Sequence, residues 1–309
     1  MVARALGRVA LAFFGYLVTA LPRWCVLQLG FALGWFLAIA GWKRSMIRSN
    51  LQMAFPGAAV ATAGYRRNIE RKFYRHFANL VLELIGQFGD WRRWVAGNVE
   101  LTGLEYWKSA ALRGKGVIFI TSHLGNWEAM AAGFSLTGND LLIVTKHLKP
   151  EWFHHAFEEK RLKAGVRGTY EPKTMKEVLR QLAKGGTVGF VLDQYAGPPI
   201  GVRVPFFGVP VGTLQAPAAI ARRTGAAVLL AHCYRDVHGR LKIQIDPEIP
   251  WVPHENPNVE MADNTARWVC SIEKSIRSHP EQWLWSHRRF KGDLSPLQPG
   301  EWENPRERT

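Results

Sequence analysis

His123 and Glu128 stand five residues apart in the segment Ser122-His123-Leu124-Gly125-Asn126-Trp127-Glu128. An imidazole beside a carboxylate is suited to taking a proton from a hydroxyl, with the carboxylate steadying the imidazolium that forms. On one regular helix a five-residue spacing would set the two side chains roughly 140° apart around the axis. They could not then cooperate. A strand, a turn and a helix start remove the obstacle. Gly116-Val117-Ile118-Phe119-Ile120-Thr121 reads as a buried strand, rich in β-branched and aromatic residues. Gly125 permits a tight turn, and Asn126 suits the N-cap of a helix opening Trp127-Glu128-Ala129-Met130. Glu128 then falls in the first helical turn, where the macrodipole favours a carboxylate. Spacing alone leaves a second reading open, that of a satisfied structural histidine beside a strand.

The surrounding elements must hold such a loop in place. From residue 116 onward, apolar runs at 141–144, 187–192, 226–233 and 241–245 alternate with helical patterns at 150–163, 173–184, 215–224 and 261–278. The alternation predicts an α/β fold, an αβα sandwich around a substantially parallel sheet. Reactive groups in such sheets collect beyond the carboxyl ends of strands, where both His123 and Asp193 fall. Upstream, Ile69, Phe73, Phe77, Leu80, Leu84 and Phe88 recur at helical intervals. Arg66, Arg67, Arg71, Lys72 and Arg75 give that helix a basic portion, either a solvated face or a contact for anionic lipid.

The 309 residues suffice for one large domain or two small ones. With 13 tryptophans and 16 phenylalanines the chain is no disordered polymer. Its net charge of +15 calls for an acidic partner: nucleic acid, an anionic bilayer or an acidic carrier protein. Nucleic acid is the weakest of the three, since no helix-turn-helix, zinc-finger or RNA-binding aromatic motif is present. Cys25, Cys233 and Cys270 are odd in number and widely spaced, which fits a reducing compartment better than a disulfide framework or a metal cluster.

Residues 9–22 and 24–42 carry no charge. The second stretch is about long enough to cross a hydrocarbon core of roughly 30 Å as a helix. Trp24 and Trp42 would mark its interfaces, and Lys43, Arg44 and Arg48 form a basic flank that keeps the downstream part cytoplasmic. Gly30 and Gly34, four apart, allow close helix packing. A helical pair that dips into the bilayer fits as well, and Ala38-Ile39-Ala40 resembles a signal-peptide cleavage site, although its apolar region is too long and broken at Pro22-Arg23.

The 122–128 string resembles the His-x4-Asp/Glu signature of the glycerolipid acyltransferase superfamily, and its His-Leu-Gly-Asn-Trp-Glu form is similar to the late acyltransferases of lipid A biosynthesis. Further blocks follow that family's order: Asn50-Leu51-Gln52-Met53-Ala54-Phe55-Pro56, Asp193-Gln194, Pro205-Phe206-Phe207-Gly208 with Thr213, and Ala221-Arg222-Arg223-Thr224-Gly225-Ala226. The last, Gln282-Trp283-Leu284-Trp285-Ser286-His287-Arg288-Arg289-Phe290, is close to its Gln-Trp-x-Trp-x-His-x-Arg-Phe signature. The resemblance implies an αβα sandwich of the glycerol-3-phosphate-acyltransferase type, with a membrane anchor at 1–45, an acyltransferase domain at 46–295 and a polar tail at 296–309. It implies direct acyl transfer from acyl-acyl carrier protein to a hydroxyl of a lipid A precursor, at the cytoplasmic side of the inner membrane and without cofactor or metal.

On this reading His123 is the general base and Glu128 its orienting carboxylate, with backbone amides near Gly125 serving the oxyanion. Asp193, Gln194 and Asn126 would bind substrate, although a turn or cap role for Asp193 stays open. Arg161 would bind a phosphate, or else lie on a solvated helix surface. Phe206 and Phe207 would flank the mouth of an acyl channel or belong to the core, and Arg288 would face acidic groups. His287 is a reserve candidate for proton transfer. Three rivals remain: a different lipid or glycolipid acceptor, a metallohydrolase using His123, Glu128 and Asp193 as ligands, and a non-enzymatic basic scaffold at a membrane surface.

Overall fold

A computed structural model describes residues 2–57 and 60–297. Apart from its first two residues, the tail expected over 296–309 lies outside the described residues. The chain begins with helices α1 (Val2–Ala20), α2 (Arg23–Ile39), α3 (Arg44–Ala54), α4 (Val60–Gly86) and α5 (Trp91–Asn98). Then come β1 (Val99–Thr102), α6 (Leu104–Ala111), β2 (Val117–Thr121), α7 (Trp127–Ser135), β3 (Leu141–Val144), α8 (Glu151–Lys163), β4 (Val166–Thr169), α9 (Thr174–Ala183) and β5 (Thr187–Val191). A hairpin of β6 (Gly201–Phe206) and β7 (Val209–Leu214) follows, then α10 (Ala216–Thr224), β8 (Ala227–Arg235), β9 (Leu241–Glu248) and α11 (Pro257–Ser278).

Seven strands form one sheet in the order β1-β9-β8-β2-β5-β3-β4, parallel throughout except where β9 meets β8. The side-chain alternation of a strand divides the core in two. Ile118 and Ile120 of β2 pack on one face with Phe190, Leu230 and Ile272. Val117 and Phe119 pack on the other with Phe134, Leu141 and Ile243. Helices cover both faces, as the alternating pattern predicts. Where the sequence suggests no regular element, the structure has α3, α5, α6, β1, β4 and the β6–β7 hairpin.

The N-terminal region departs from the expectation of a spanning helix. Pro22 separates α1 from α2, and α2, with 17 residues, is only about 26 Å long at 1.5 Å per residue. No single described helix is long and apolar enough to cross a membrane; α2 and α3 pass the test only as a pair bent by 93°. α2 lies instead against α4, and its small residues are what allow this. A side-chain carbon on Gly34 would stand 2.7 Å from the carbonyl oxygen of Tyr74, and one on Gly30 would strike Asn79. Trp42 stacks on Phe77 with ring centres 4.5 Å apart, so it is no free interfacial anchor. The outer faces of α1 and α2 nonetheless leave Phe13, Phe14, Trp24, Phe31, Trp35 and Phe36 exposed.

Candidate active site

The register of two adjacent parallel strands builds the site. Thr121 of β2 pairs with Val191 of β5, so the residues two places beyond each strand end, His123 and Asp193, meet. His123 Nδ1 lies 2.8 Å from Asp193 Oδ1, and the His123 backbone N–H donates to Asp193 Oδ2 at 2.8 Å. Trp283 Nε1 donates to the same Oδ2 at 2.6 Å. Asp193 is 3% exposed, and it is thus held by three donors in a dry setting. Burial works against its charge, but His123 and the Trp283 N–H outweigh burial and hold its carboxyl below the usual range. For His123, burial disfavours the imidazolium, yet Asp193 overcomes this and raises the imidazole above its ordinary value. With Nδ1 donating to Asp193, the ring presents Nε2 as an acceptor. Gln194 Nε2 stands 3.3 Å from it, and Trp127 packs edge-on against the ring.

A C-terminal segment clamps this loop from the opposite side. Leu124 and Trp283 form an antiparallel bridge, the Leu284 N–H donates to the His123 carbonyl, and the Gly125 N–H donates to the Gln282 carbonyl. Gly125 adopts φ +63°, and a side-chain carbon there would sit 2.2 Å from the Cys233 carbonyl oxygen. Only glycine fits. Asn50 on α3 donates to the carbonyls of both Trp285 and His287 at 2.7 Å, which gives the Asn50 block of the sequence a physical task. Arg289, fully buried, donates to the carbonyls of Gln194 and Gly212 and to Thr213 Oγ1. Burial lowers its guanidinium to about 10.

Glu128 does not touch the histidine through a hydrogen bond. Arg161 of α8 takes both of its oxygens, Nε to Oε2 at 2.9 Å and Nη2 to Oε1 at 2.6 Å, and reaches Glu158 at 2.8 Å. The carboxylate that hydrogen-bonds the His123 ring is therefore Asp193, and Glu128 adds a more distant charge that favours the imidazolium. Arg161 is neither a solvated helix residue nor an open phosphate site. It is buried, two carboxylates occupy its fork, and its guanidinium lies over the Phe157 ring. Burial alone would lower its proton affinity, but Glu128 and Glu158 raise it instead.

His123, Glu128 and Arg161 stand on the wall of a cavity of about 100 Å³ beneath α7. Its remaining lining is mostly apolar, including Phe119, Met130, Phe134, Ile143 and Ile245. Phe206 and Phe207 are absent from this wall. They belong to the core on the opposite side of the sheet, Phe206 against Trp283 and Phe207 under the Arg277 guanidinium. The β6–β7 hairpin, a separate two-stranded sheet, carries them there, Phe206 at the end of β6 and Phe207 in its turn.

Asn126 is the N-cap foreseen, its Oδ1 accepting from the Ala129 N–H at 2.9 Å. Its Nδ2 donates to Glu83 Oε2 at 2.9 Å, and the residue is fully buried, which places it in the support of the loop rather than on an open substrate surface. Glu83 is fully buried between Arg235 and Arg23. Burial opposes its charge, but these cations hold its carboxyl down at about 2. The Gly125 amide, bonded to Gln282, cannot serve an oxyanion. Arg288 is exposed, and the arginine built into the site is its neighbour Arg289. His287 is partly buried and near enough to feel the charges of Asp193 and His123, and burial lowers its imidazole. Among the described residues no cluster of three or more His, Cys, Asp or Glu side chains is arranged to hold a metal ion.

Sequence reasoning missed Glu83, Arg235 and the role of Trp283. The one signal for Glu83 is a lone acid within the apolar run Leu80-Val81-Leu82-Glu83-Leu84-Ile85.

The family model described as bacterial lipid A biosynthesis acyltransferase matches residues 2–292. The chain is 27% identical to the lipid A biosynthesis lauroyltransferase of Escherichia coli (strain K12), over 89% of this chain and 88% of that protein. It is 25% identical to the lipid A biosynthesis palmitoleoyltransferase of the same organism, over 81% and 79%. It is also 26% identical to a phosphatidylinositol mannoside acyltransferase of Mycobacterium tuberculosis (strain ATCC 25618 / H37Rv), over 62% and 60%.

Proposed function

Because the chain belongs to the bacterial lipid A biosynthesis acyltransferase family, we propose that it moves a fatty acyl chain from acyl-acyl carrier protein to a hydroxyl of a lipid A precursor. The observation that carries this reading is His123 in the lining of a largely apolar cavity, with Nδ1 held by Asp193. The cavity takes the acyl chain of the donor and leaves its thioester carbonyl beside the imidazole. Nε2 accepts the proton of the acceptor hydroxyl as that oxygen attacks the carbonyl. The new ester C–O bond forms, the C–S bond breaks, and the imidazolium returns its proton to the departing thiolate. Asp193 fixes the tautomer and balances the transient charge. The Ala129 amide of α7 is taken by the Asn126 cap, which leaves the Trp127 and Glu128 amides of the first turn to serve the developing oxyanion. Glu128 and Arg161 form the wall of the donor site, their charges cancelling within it.

The exposed apolar face of α1 and α2 seats the chain on the cytoplasmic leaflet of the inner membrane. The net charge of +15 draws an acidic carrier protein toward that surface. A second reading, in which another glycolipid is the acceptor, is favoured by the phosphatidylinositol mannoside acyltransferases among the relatives.

The test is acyl transfer by the wild type and His123→Ala, with acyl-acyl carrier protein as donor and two acceptors, a lipid A precursor and a phosphatidylinositol mannoside. The expected result is transfer to the lipid A precursor, lowered roughly 10²–10⁴-fold by the substitution. Undiminished transfer removes His123 from the mechanism, and transfer to the mannoside alone selects the second reading.

A further inference from the structure

We infer that Gly189 sets how far an acyl chain passes into the cavity and hence which chain length is transferred; this rests on the reading that the cavity holds the donor's acyl chain. The three strands that floor the cavity are in register, so its lining is layered. Thr121 and Val191 form the layer below His123, Phe119, Gly189 and Ile143 the next, and Leu141 lies at the level below that. Successive layers are two residues apart, about 6.6 Å along a strand.

In the middle layer Phe119 packs edge-on against Phe134, with ring centres 5.0 Å apart, and Phe134 against Trp107 at 5.3 Å. That side is closed. Gly189 is different. It is a glycine inside a buried strand, Thr187-Val188-Gly189-Phe190-Val191, in regular register with β2 and without a bulge; glycine weakens a strand there and leaves room for a close approach. A side-chain carbon built there would stand 3.4 Å from Ile143 Cγ2 and 3.8 Å from Leu141 Cδ1, both lining residues. Those are ordinary contact distances, and the direction is into the cavity. A small side chain therefore fits at 189 without a clash while taking space the cavity now offers.

Any larger side chain at 189 closes the cavity one layer higher. An extended chain gains about 1.2 Å per bond, so a loss of about 6.6 Å removes room for roughly five carbons. Each methylene displaced into water lowers transfer by roughly fourfold.

The experiment measures transfer by wild type, Gly189→Ala, Gly189→Val and His123→Ala, with a ladder of saturated acyl-acyl carrier protein donors differing by two carbons. The added chain is identified by mass spectrometry of the lipid formed, and thermal melting checks folding. The expected result is an optimum that moves to shorter donors, slightly in Gly189→Ala and by about five carbons in Gly189→Val, with activity retained on the short donors. If Gly189→Val does not fold, the smaller shift in Gly189→Ala decides. An unchanged length profile in the folded variants, with His123→Ala inactive, overturns the inference and leaves the catalytic reading standing. An active His123→Ala overturns the reading on which the inference rests.

Discussion

Two charged pairs border the cavity, one with its carboxylate in the lining and one with its carboxylate behind the lining residue His123, and the two carboxylates have different partners. On the β2–β5 side, Asp193 faces a base it holds by hydrogen bond, with a tryptophan N–H and a backbone amide completing its shell. On the α7–α8 side, Glu128 faces an arginine that takes both of its oxygens. Both carboxylates are nearly dry. The difference lies in the partner. Glu128 is paired with a guanidinium, a permanent cation, whereas Asp193 is paired with an imidazole, a group that can gain and lose a proton. One pair can take part in proton transfer; the other fixes charge and shape.

Breaking the first pair has the larger effect. Asp193→Asn keeps the shape but turns a donor or a neutral acceptor toward Nδ1, and transfer falls roughly 10³–10⁴-fold, as for loss of the orienting carboxylate in hydrolase triads. A folded Asp193→Asn protein with near-wild-type turnover would contradict the assignment. Breaking the second pair is first of all a matter of stability. Arg161→Met leaves Glu128 buried without its cation and costs about 3–5 kcal/mol in urea unfolding. Adding Glu128→Gln removes the stranded charge and recovers most of that loss; a strictly additive double variant would show that the pair is not coupled.

The pH response also separates the pairs. In the proposed mechanism the neutral imidazole is the base, so transfer is expected to rise with pH through the raised value of His123. The stability contributed by the His123–Asp193 pair runs the other way. It is fully present from the unfolded carboxyl value near 3.8 up to the unfolded imidazole value near 6.5, and it is lost as pH rises through the folded imidazole value or falls through the lowered Asp193 value. Activity therefore gains where the pair's contribution to stability declines.

Much of this site was legible in the sequence because its parts are local. The β-branched run into Ser122-His123, the glycine turn and the Asn126 cap all follow from neighbours in the chain. The pairing of His123 was not, because it depends on β5 lying beside β2 across 70 residues of sequence. Glu128 was the nearer acid in sequence, and a helical residue that faces α8 finds Arg161 instead. Arg289 rather than Arg288 enters the site through a choice between adjacent positions that only the folded backbone makes. Phe206 and Phe207 carry an apolar signal without direction, and the β6–β7 hairpin turns them into the core away from the cavity. The apolar N-terminus is helical and broken at Pro22, as its sequence predicts, but the 93° turn from α2 to α3 and the docking of Gly30 and Gly34 onto α4 are tertiary facts.

The central claim is that Asp193, and not Glu128, controls the proton on His123. Nuclear magnetic resonance titration of the His123 ring in the wild type, Asp193→Asn and Glu128→Gln tests it most directly. The wild-type ring is expected to titrate above 6.5. In Asp193→Asn, burial is left opposed only by the distant Glu128 charge, and the midpoint falls steeply, while in Glu128→Gln it falls only slightly. A larger fall in Glu128→Gln than in Asp193→Asn would contradict the account.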